Sequence, residues 1–395
     1  MANTFPFVTN KKVDLVALRA AEGAQYLTVG SKSYFSDQLE GKRNGQSYEF
    51  VIRDAGEYAT GMNMTGKVSN LQERKVTKDI KLGNIVIDTN LLEKVTDVEW
   101  EKEIAIPNGK KLINGVVKDV VESDLGRQNV AFVGKGWLPI SKASRFLGSI
   151  SSEDRYAFID PMIDSIMAAG GKSFTPVDAE PLYKTGLLGS AFGAEFRESQ
   201  FMPTIEISEA LATELASATV ASYTPGDDVD TLTLSGVTQV IPAGTPLFVQ
   251  GVYACDLVGD KTSSLKAFIA IEDATSGSVK VRHVDFTGNG TKEATVAPKA
   301  NDKLVNSIEA GQYFTGIIRL DGAMEFDTLK KLDWSNAEST SEPVEGVTVH
   351  EGRAVDVITG SNKTRWTVAS LAGIVEPRAC AYICVKDATA NLMVM

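Results

Sequence analysis

QSYEFVIRDAGEYATGMNMTGKVSNLQERKVTKDIKL, residues 46–82, places two alternating stretches around a polar, glycine-bearing middle. Tyr48, Phe50 and Ile52 alternate with Glu49, Val51 and Arg53, while Val76, Ile80 and Leu82 alternate with Lys75, Asp79 and Lys81. That is the two-residue period of a strand. With Gly56, Gly61 and Gly66 between them, the pattern predicts a long two-stranded hairpin with a flexible tip. An isolated hairpin buries too little apolar surface to stand alone in water, so its support is expected elsewhere, such as on a neighbouring subunit.

The bulk of the chain sets the outer bounds. With 395 residues, 43% of them hydrophobic, it can bury a large core and is expected to hold about two or three domains. Acidic residues number 51 against 40 basic, a net of −11, and the basic residues come in pairs such as Lys11–Lys12, Lys110–Lys111 and Lys330–Lys331 rather than in blocks. Phosphate-backbone binding needs clustered Lys and Arg, so a dedicated nucleic-acid binder is not expected, although an acidic wall beside DNA fits. The first residues lack a charged-then-apolar leader and no run of about 18 apolar residues occurs, so a soluble chain made in the cytoplasm, without membrane contact, is expected. Three cysteines are too few for a disulfide framework, and Cys380 and Cys384 lack the companions of a zinc site; buried, reduced thiols are expected.

Upstream of the hairpin, residues 1–37 mix short helical patches with polar stretches and read as an extended arm. Downstream, PNGKKLINGVVKDVVESDLGR opens on Pro107, repeats the doublets Leu112–Ile113, Val116–Val117 and Val120–Val121 every four residues, and stops at Gly126. This is a helix with one apolar stripe. Gly115 in its middle costs about 1 kcal/mol relative to Ala, for which close backbone packing is the expected compensation. RYAFID reads as a strand and PMIDSIMAA as a helix begun by Pro161. EISEALATELASATV, residues 206–220, reads as a further helix. From Asp227 to Asn301 the composition turns to Thr, Val, Gly and Ser with regular turns, the mark of a small all-β module inserted into another domain.

Chemistry is sparse. Only His283 and His350 occur, neither at ligand spacing, and His283 shares parity with Val279 and Val281 as a structural residue would. AAGGKSF has Gly171, Lys172 and Ser173 of a phosphate loop, but Ile166 occupies the position of the required glycine. Asp227, Asp228 and Asp230 lack the glycine and closing Glu of a calcium loop and read as a solvated linker. Ser263 and Lys266 have S-x-x-K spacing without companion motifs. No catalytic residue, cofactor or metal site is expected.

The order of parts resembles the major capsid (coat) proteins of tailed double-stranded DNA bacteriophages with the Hong Kong 97 (HK-97) fold, and most closely the coat proteins of P-22-like short-tailed phages. Four stretches carry it: RYAFIDP with Pro161; TGLLGSAFGAEFRESQFMP with Gly186, Gly189, Phe192, Ser199 and Pro203; GTPLFVQGVYACD through SLKAFIAIEDATSG; and TRWTVASLAGIVEPRACAYICV with Arg365, Gly373 and Pro377. The resemblance implies an α+β fold with an N-terminal arm (residues 1–37), an extended-loop hairpin (38–90), a spine helix and peripheral domain (91–145), a peripheral and axial portion (146–226), the inserted β domain (227–301) and a return through the axial domain to closing peripheral strands (302–395). In this frame IAIPNG, residues 104–109, interrupts the spine, which is expected to be short or bent, and Thr364–Val385 is the closing strand pair.

What this implies about function is self-assembly. Many copies would form hexamers and pentamers of an icosahedral shell around packaged DNA, located in the virion capsid after assembly in the host cytoplasm. A separate scaffolding protein, a portal protein and a decoration protein are the expected partners. The competing reading is a β-rich phage or cell-surface protein that recognises a carbohydrate or receptor through residues 227–301. Exposed aromatics gathered on that module would favour it, whereas Trp100, Trp137, Trp334 and Trp366 all lie outside it.

Overall fold

The computed structural model describes residues 10–33, 47–53, 73–88, 100–170, 190–287, 292–305, 308–330, 338–344, 346–356 and 361–387. The helices are α1 Asn10–Gly23, α2 Gln25–Thr28, α3 Ile106–Asp124, α4 Leu138–Ile150, α5 Pro161–Gly170 and α6 Glu209–Ser217. The strands of the first half are β1 Ser31–Lys32, β2 Ser47–Arg53, β3 Glu73–Asp79, β4 Lys81–Asp88, β5 Val130–Lys135, β6 Arg155–Ile159, β7 Ser190–Ala191, β8 Ala194–Glu198, β9 Thr204–Ile207 and β10 Thr219–Thr224. Those of the second half are β11 Val229–Ser235, β12 Pro246–Cys255, β13 Lys261–Ile269, β14 Ser278–Arg282, β15 Gly311–Leu320, β16 Met324–Thr328, β17 Glu338–Val344, β18 Val347–Asp356, β19 Ser361–Ile374 and β20 Cys380–Lys386. The chain is mixed α and β. It divides into two compact units, one of Met1–Phe50, Val76–Ser123 and Met324–Gly373, the other of Val51–Lys75, Asp124–Ala323 and Ile374–Met395.

In the first unit a sheet of order β1-β16-β19-β18-β17, with β4 also on β19, carries α1 against β17 and β18. Residues 10–28, read from sequence as part of an extended arm, are helical and packed: Val16, Ala17, Ala20 and Ala21 of α1 are buried. Alanines carry little hydrophobic weight, which concealed this packing in the sequence. On α3 the expected stripe is present, with Leu112, Ile113, Val116, Val117, Val120 and Val121 all buried, and Gly126 beyond its end holds the left-handed φ of +85°.

Two details of α3 differ from expectation. IAIPNG does not break the helix. A π-helical turn, Trp100–Ala105, runs straight into α3. Pro107 offers no amide hydrogen, a wider turn accommodates such a residue, and the Asn108 side-chain amide donates to the Ile104 carbonyl at 2.8 Å. Nor does close packing compensate Gly115, since a Cβ there would meet nothing within 4 Å. The close approach is at Gly109, where a Cβ would lie 2.7 Å from the Val16 carbonyl oxygen and 3.0 Å from the Arg19 Cβ.

In the second unit a sheet of order β5-β20-β15-β6-β8-β7, with β9 also on β15, packs α4 on one face. Val130, Ile140, Leu147, Ile159, Ile318 and Ile383 anchor its core. A three-stranded sheet β10-β11-β14 and the antiparallel pair β12-β13 make up the all-β region. It reaches back to Thr219, because β10 pairs with β11. The helix expected over residues 206–220 therefore shrinks to α6. Ile205 and Ile207 alternate with exposed neighbours in β9, which pairs with β15, and the Ser208 hydroxyl caps α6 by accepting from the Leu211 amide at 3.2 Å.

Two further expectations concern pairing. β2 and β3 do pair with each other as a two-stranded sheet, while the hairpin's tip lies outside the described residues. The closing strand pair is not a pair. β19 is laddered to β18 and β4, and β20 to β15 and β5. The resemblance implied that these two neighbouring apolar strands are partners, but each finds its ladder elsewhere.

Gly115→Ala should raise unfolding stability by about 1 kcal/mol, and Gly109→Ala should lower it, because its Cβ meets backbone that cannot move aside cheaply. Urea denaturation measures both.

Candidate functional site

The stretch RYAFIDP is the anchor of the second unit. β6 ends at Ile159, Asp160 accepts from the Met162 amide at 2.8 Å through its carboxylate, and Pro161 begins α5. Burial lifts the Asp160 carboxyl above its ordinary range, against the lowering influence of that amide. The Arg155 guanidinium donates to the Ser144 carbonyl at 2.8 Å and hydroxyl at 3.1 Å. It is enclosed by Gly148 and Gly193, where a Cβ would come within 2.6 and 2.5 Å of its nitrogens.

Phe192 and Gly193 form the two-residue connection between β7 and β8, with φ of 53° and 74°. Positive φ at both positions matches the twist of a tight hairpin, a conformation unfavourable for Phe. Compensation comes from outside the turn: the Phe192 ring meets Trp137 edge-on at 5.4 Å, and its carbonyl accepts from the Ser144 hydroxyl at 2.8 Å. Ser199 is buried and its amide donates to the Ile159 carbonyl at 2.8 Å; the Pro203 carbonyl accepts from the Thr315 hydroxyl. Ser199 and Pro161 thus adjoin β6, Phe192 braces α4 and Pro203 meets β15, whereas Gly186 and Gly189 lie outside the described residues.

Arg365 belongs to the first unit. Its guanidinium donates twice to the Asn84 side-chain oxygen, at 3.0 and 2.6 Å, which also accepts from the Thr367 hydroxyl at 2.7 Å. Trp366 is buried and its indole donates to the Glu351 carboxylate at 2.9 Å. Gly373 ends this segment at φ +145°. In the second unit the Pro377 carbonyl accepts from the Asn129 amide at 3.1 Å. Cys380 and Cys384 share one face of β20, fully buried, and burial pushes both thiols well above their ordinary value. These residues hold strands together.

The residues weighed as chemical candidates separate in the structure. Ser263 is exposed and Lys266 buried, as opposite parity along β13 requires, so the S-x-x-K spacing forms no pair. His350 is buried, its ring nitrogen 2.7 Å from the Leu329 carbonyl, and burial lowers its proton affinity. Asp228 pairs with Arg127 at 3.1 Å and Arg282 at 2.9 Å. Asp230 is not part of a solvated linker. It points into the buried face of β11 with Leu232 and Leu234, and accepts from Tyr223, the Gly226 amide at 2.9 Å and the Val284 amide at 3.0 Å, with His283 Nδ1 also 2.9 Å away. Its parity with two leucines was the available signal. Burial raises the Asp230 carboxyl, but these hydrogen bonds together outweigh it and leave the group below its ordinary value. The hydrogen bond to Asp230 raises His283 against the opposing effect of burial. Among the described residues no cluster of three or more metal-type ligands occurs, and no helix is long and apolar enough to cross a membrane. All four aromatics of residues 227–301, Phe248, Tyr253, Phe268 and Phe286, are at least partly buried.

No family model and no curated protein matches the chain. Among solved structures, a chain titled Mycobacterium phage Che8 aligns at 10% identity and TM-score 0.44, over 90% of this chain and 89% of that one. The capsid structure of the cyanophage P-SCSP1u aligns at 11% identity and TM-score 0.42, over 91% and 89%. A virus-like particle from Pyrococcus furiosus aligns at 10% identity and TM-score 0.40, over 95% and 98%.

Removing the Asp230 carboxylate leaves Tyr223 and two buried amides without their acceptor, so Asp230→Ala should cost about 3 kcal/mol in chemical denaturation. The His283 contribution is full below its ordinary value of 6.5 and fades as pH rises through its raised folded value; that of Asp230 is full above 3.8 and fades as pH falls through its lowered one. Stability should therefore fall as pH rises above 6.5 in the native chain, and this component should vanish in His283→Gln.

Proposed function

We propose that this chain is a major capsid protein, many copies of which self-assemble into an icosahedral shell enclosing the packaged double-stranded DNA of a tailed phage. The observation that carries this reading is the β2–β3 hairpin. Its strands pair with each other, and among the described residues neither joins a larger sheet. Two strands alone are marginal in water, so a partner surface is needed. In a closed shell of overlapping copies, each hairpin finds that surface on a neighbour and the assembly energy is spread over many repeated contacts.

In this reading residues 38–90 are the extended loop, 1–37 the N-terminal arm and 91–145 the spine and peripheral domain. Residues 146–226 continue into the axial domain, 227–301 are the inserted β domain, and 302–395 return through the axial domain to the closing strands. The net charge of −11 suits an inner wall that repels phosphate and leaves the packaged DNA free to move. The hydrogen-bonded roles of Arg155, Asp230 and Arg365 are those of a scaffold under load, and shell building requires no turnover. By the same analogy a scaffolding protein guides assembly, a portal protein occupies a vertex, and a decoration protein binds outside.

Electron microscopy of the expressed protein, with and without a co-expressed scaffolding partner, should show closed shells; monomers or small oligomers under every condition in sedimentation would reject the reading. Deletion of residues 54–70 should leave a cooperatively unfolding chain with at least tenfold lower shell yield, and an unchanged yield would remove the hairpin's role.

A further inference from the structure

Lys266 of β13 is buried, and its ammonium nitrogen has a narrow set of neighbours. Nζ lies 2.9 Å from Asn129 Oδ1 and 3.5 Å from Glu293 Oε2. Asn129 is fully buried and Glu293 nearly so. Three ammonium hydrogens thus meet an amide oxygen and one carboxylate oxygen at the edge of hydrogen-bonding range. That is weak compensation for a charge taken out of water. Burial, set against attraction from Glu293, leaves the lysine below its ordinary proton affinity, which makes its neutral, nucleophilic form accessible.

The three side chains are also held in place. Asn129 is fixed by its amide to the Pro377 and Cys380 carbonyls at 3.1 and 3.2 Å, by its carbonyl to the Ala267 amide at 3.1 Å, and by Nδ2 to the Cys255 carbonyl at 2.9 Å. The Glu293 carbonyl accepts from the Cys255 amide at 2.8 Å, and its own amide donates to Asp285 at 2.8 Å. Ala267 directly follows Lys266, so the bond to Asn129 sets the spacing of amine and amide. Fixed juxtaposition of this kind removes most of the entropic barrier to a bond-forming step.

The geometry points to an isopeptide bond between Lys266 Nζ and Asn129 Cγ, formed within one chain with Glu293 moving the proton. The neutral amine attacks Cγ, and the Glu293 carboxylate takes a proton from the attacking nitrogen. That proton passes to Nδ2, the Cγ–Nδ2 bond breaks, and ammonia leaves. One C–N bond forms and one breaks, with no change of oxidation state and no co-reactant. The product is a covalent staple between positions 137 residues apart in sequence, joining the segment before β5 to β13. A long closed loop of this kind restricts the unfolded chain strongly. The inference stands whether or not the chain builds a shell.

Intact-mass measurement of the purified full chain, followed by proteolysis and fragmentation of the peptides, tests it. The expected result is a mass lower than the sequence mass by one ammonia and a branched peptide joining Asn129 to Lys266. Glu293→Gln and Lys266→Met should each restore the full mass and abolish that peptide. The unaltered sequence mass after prolonged incubation of the native chain at mildly alkaline pH would overturn the proposal. So would loss of ammonia without the branched peptide, which marks cyclisation of an asparagine onto its own backbone. Because the native chain decides the matter, a variant that fails to fold does not obscure the answer.

Discussion

Strand β15 has no free edge. β20 pairs along it from Tyr313 to Arg319, while β9 and then β6 share the opposite edge from Gly311 to Leu320. A buried strand must satisfy every amide and carbonyl it carries, so this one ladder brings segments near residues 155, 205, 315 and 383 into one sheet. Gly316 shows how tight the arrangement is. A Cβ there would lie 2.8 Å from the Phe158 carbonyl and 3.0 Å from both Ile159 and Ile383 side chains. The Arg155 clamp, the Phe192 turn and the buried thiols of β20 all take their positions from this ladder.

The same rule of backbone saturation explains why the β2–β3 hairpin matters. Where β15 is paired on both sides, the hairpin has, among the described residues, only its internal ladder, and a strand edge outside any ladder calls for a hydrogen-bonding or covering partner. On the function proposed above, the same strand edge would meet the same complement at every position of a repeating assembly.

Local patterns were legible where local forces decide. Repeating apolar doublets foretold α3, and a proline after RYAFID foretold the β6–α5 junction, because both depend on neighbours within a few residues. The α1 packing was hidden because alanines signal close approach only once a partner helix is known. Gly115 and Gly109 look alike in sequence, and only the path of α1 across α3 makes one crowded and the other open. Asp230 stood among turn-forming acidic neighbours, and its parity with Leu232 and Leu234 was a weaker cue than the local composition.

By itself, then, the sequence determined the mixed α and β class, the amphipathic α3, the hairpin strands as far as Asp79, beyond which Leu82 belongs to β4 on β19, and the strand-rich stretch from β11 to β14. It also showed two histidines and three cysteines, none at the spacing of a common metal-ligand motif. These follow from periodicity, charge and counting, which act over short spans. Only the tertiary structure decided that β19 and β20 part company, that Asp230 is a buried hub, and that Lys266 faces Asn129 and Glu293. Each of those depends on contacts between residues far apart in sequence, and strand pairing across such distances is set by the whole sheet's need to satisfy its backbone.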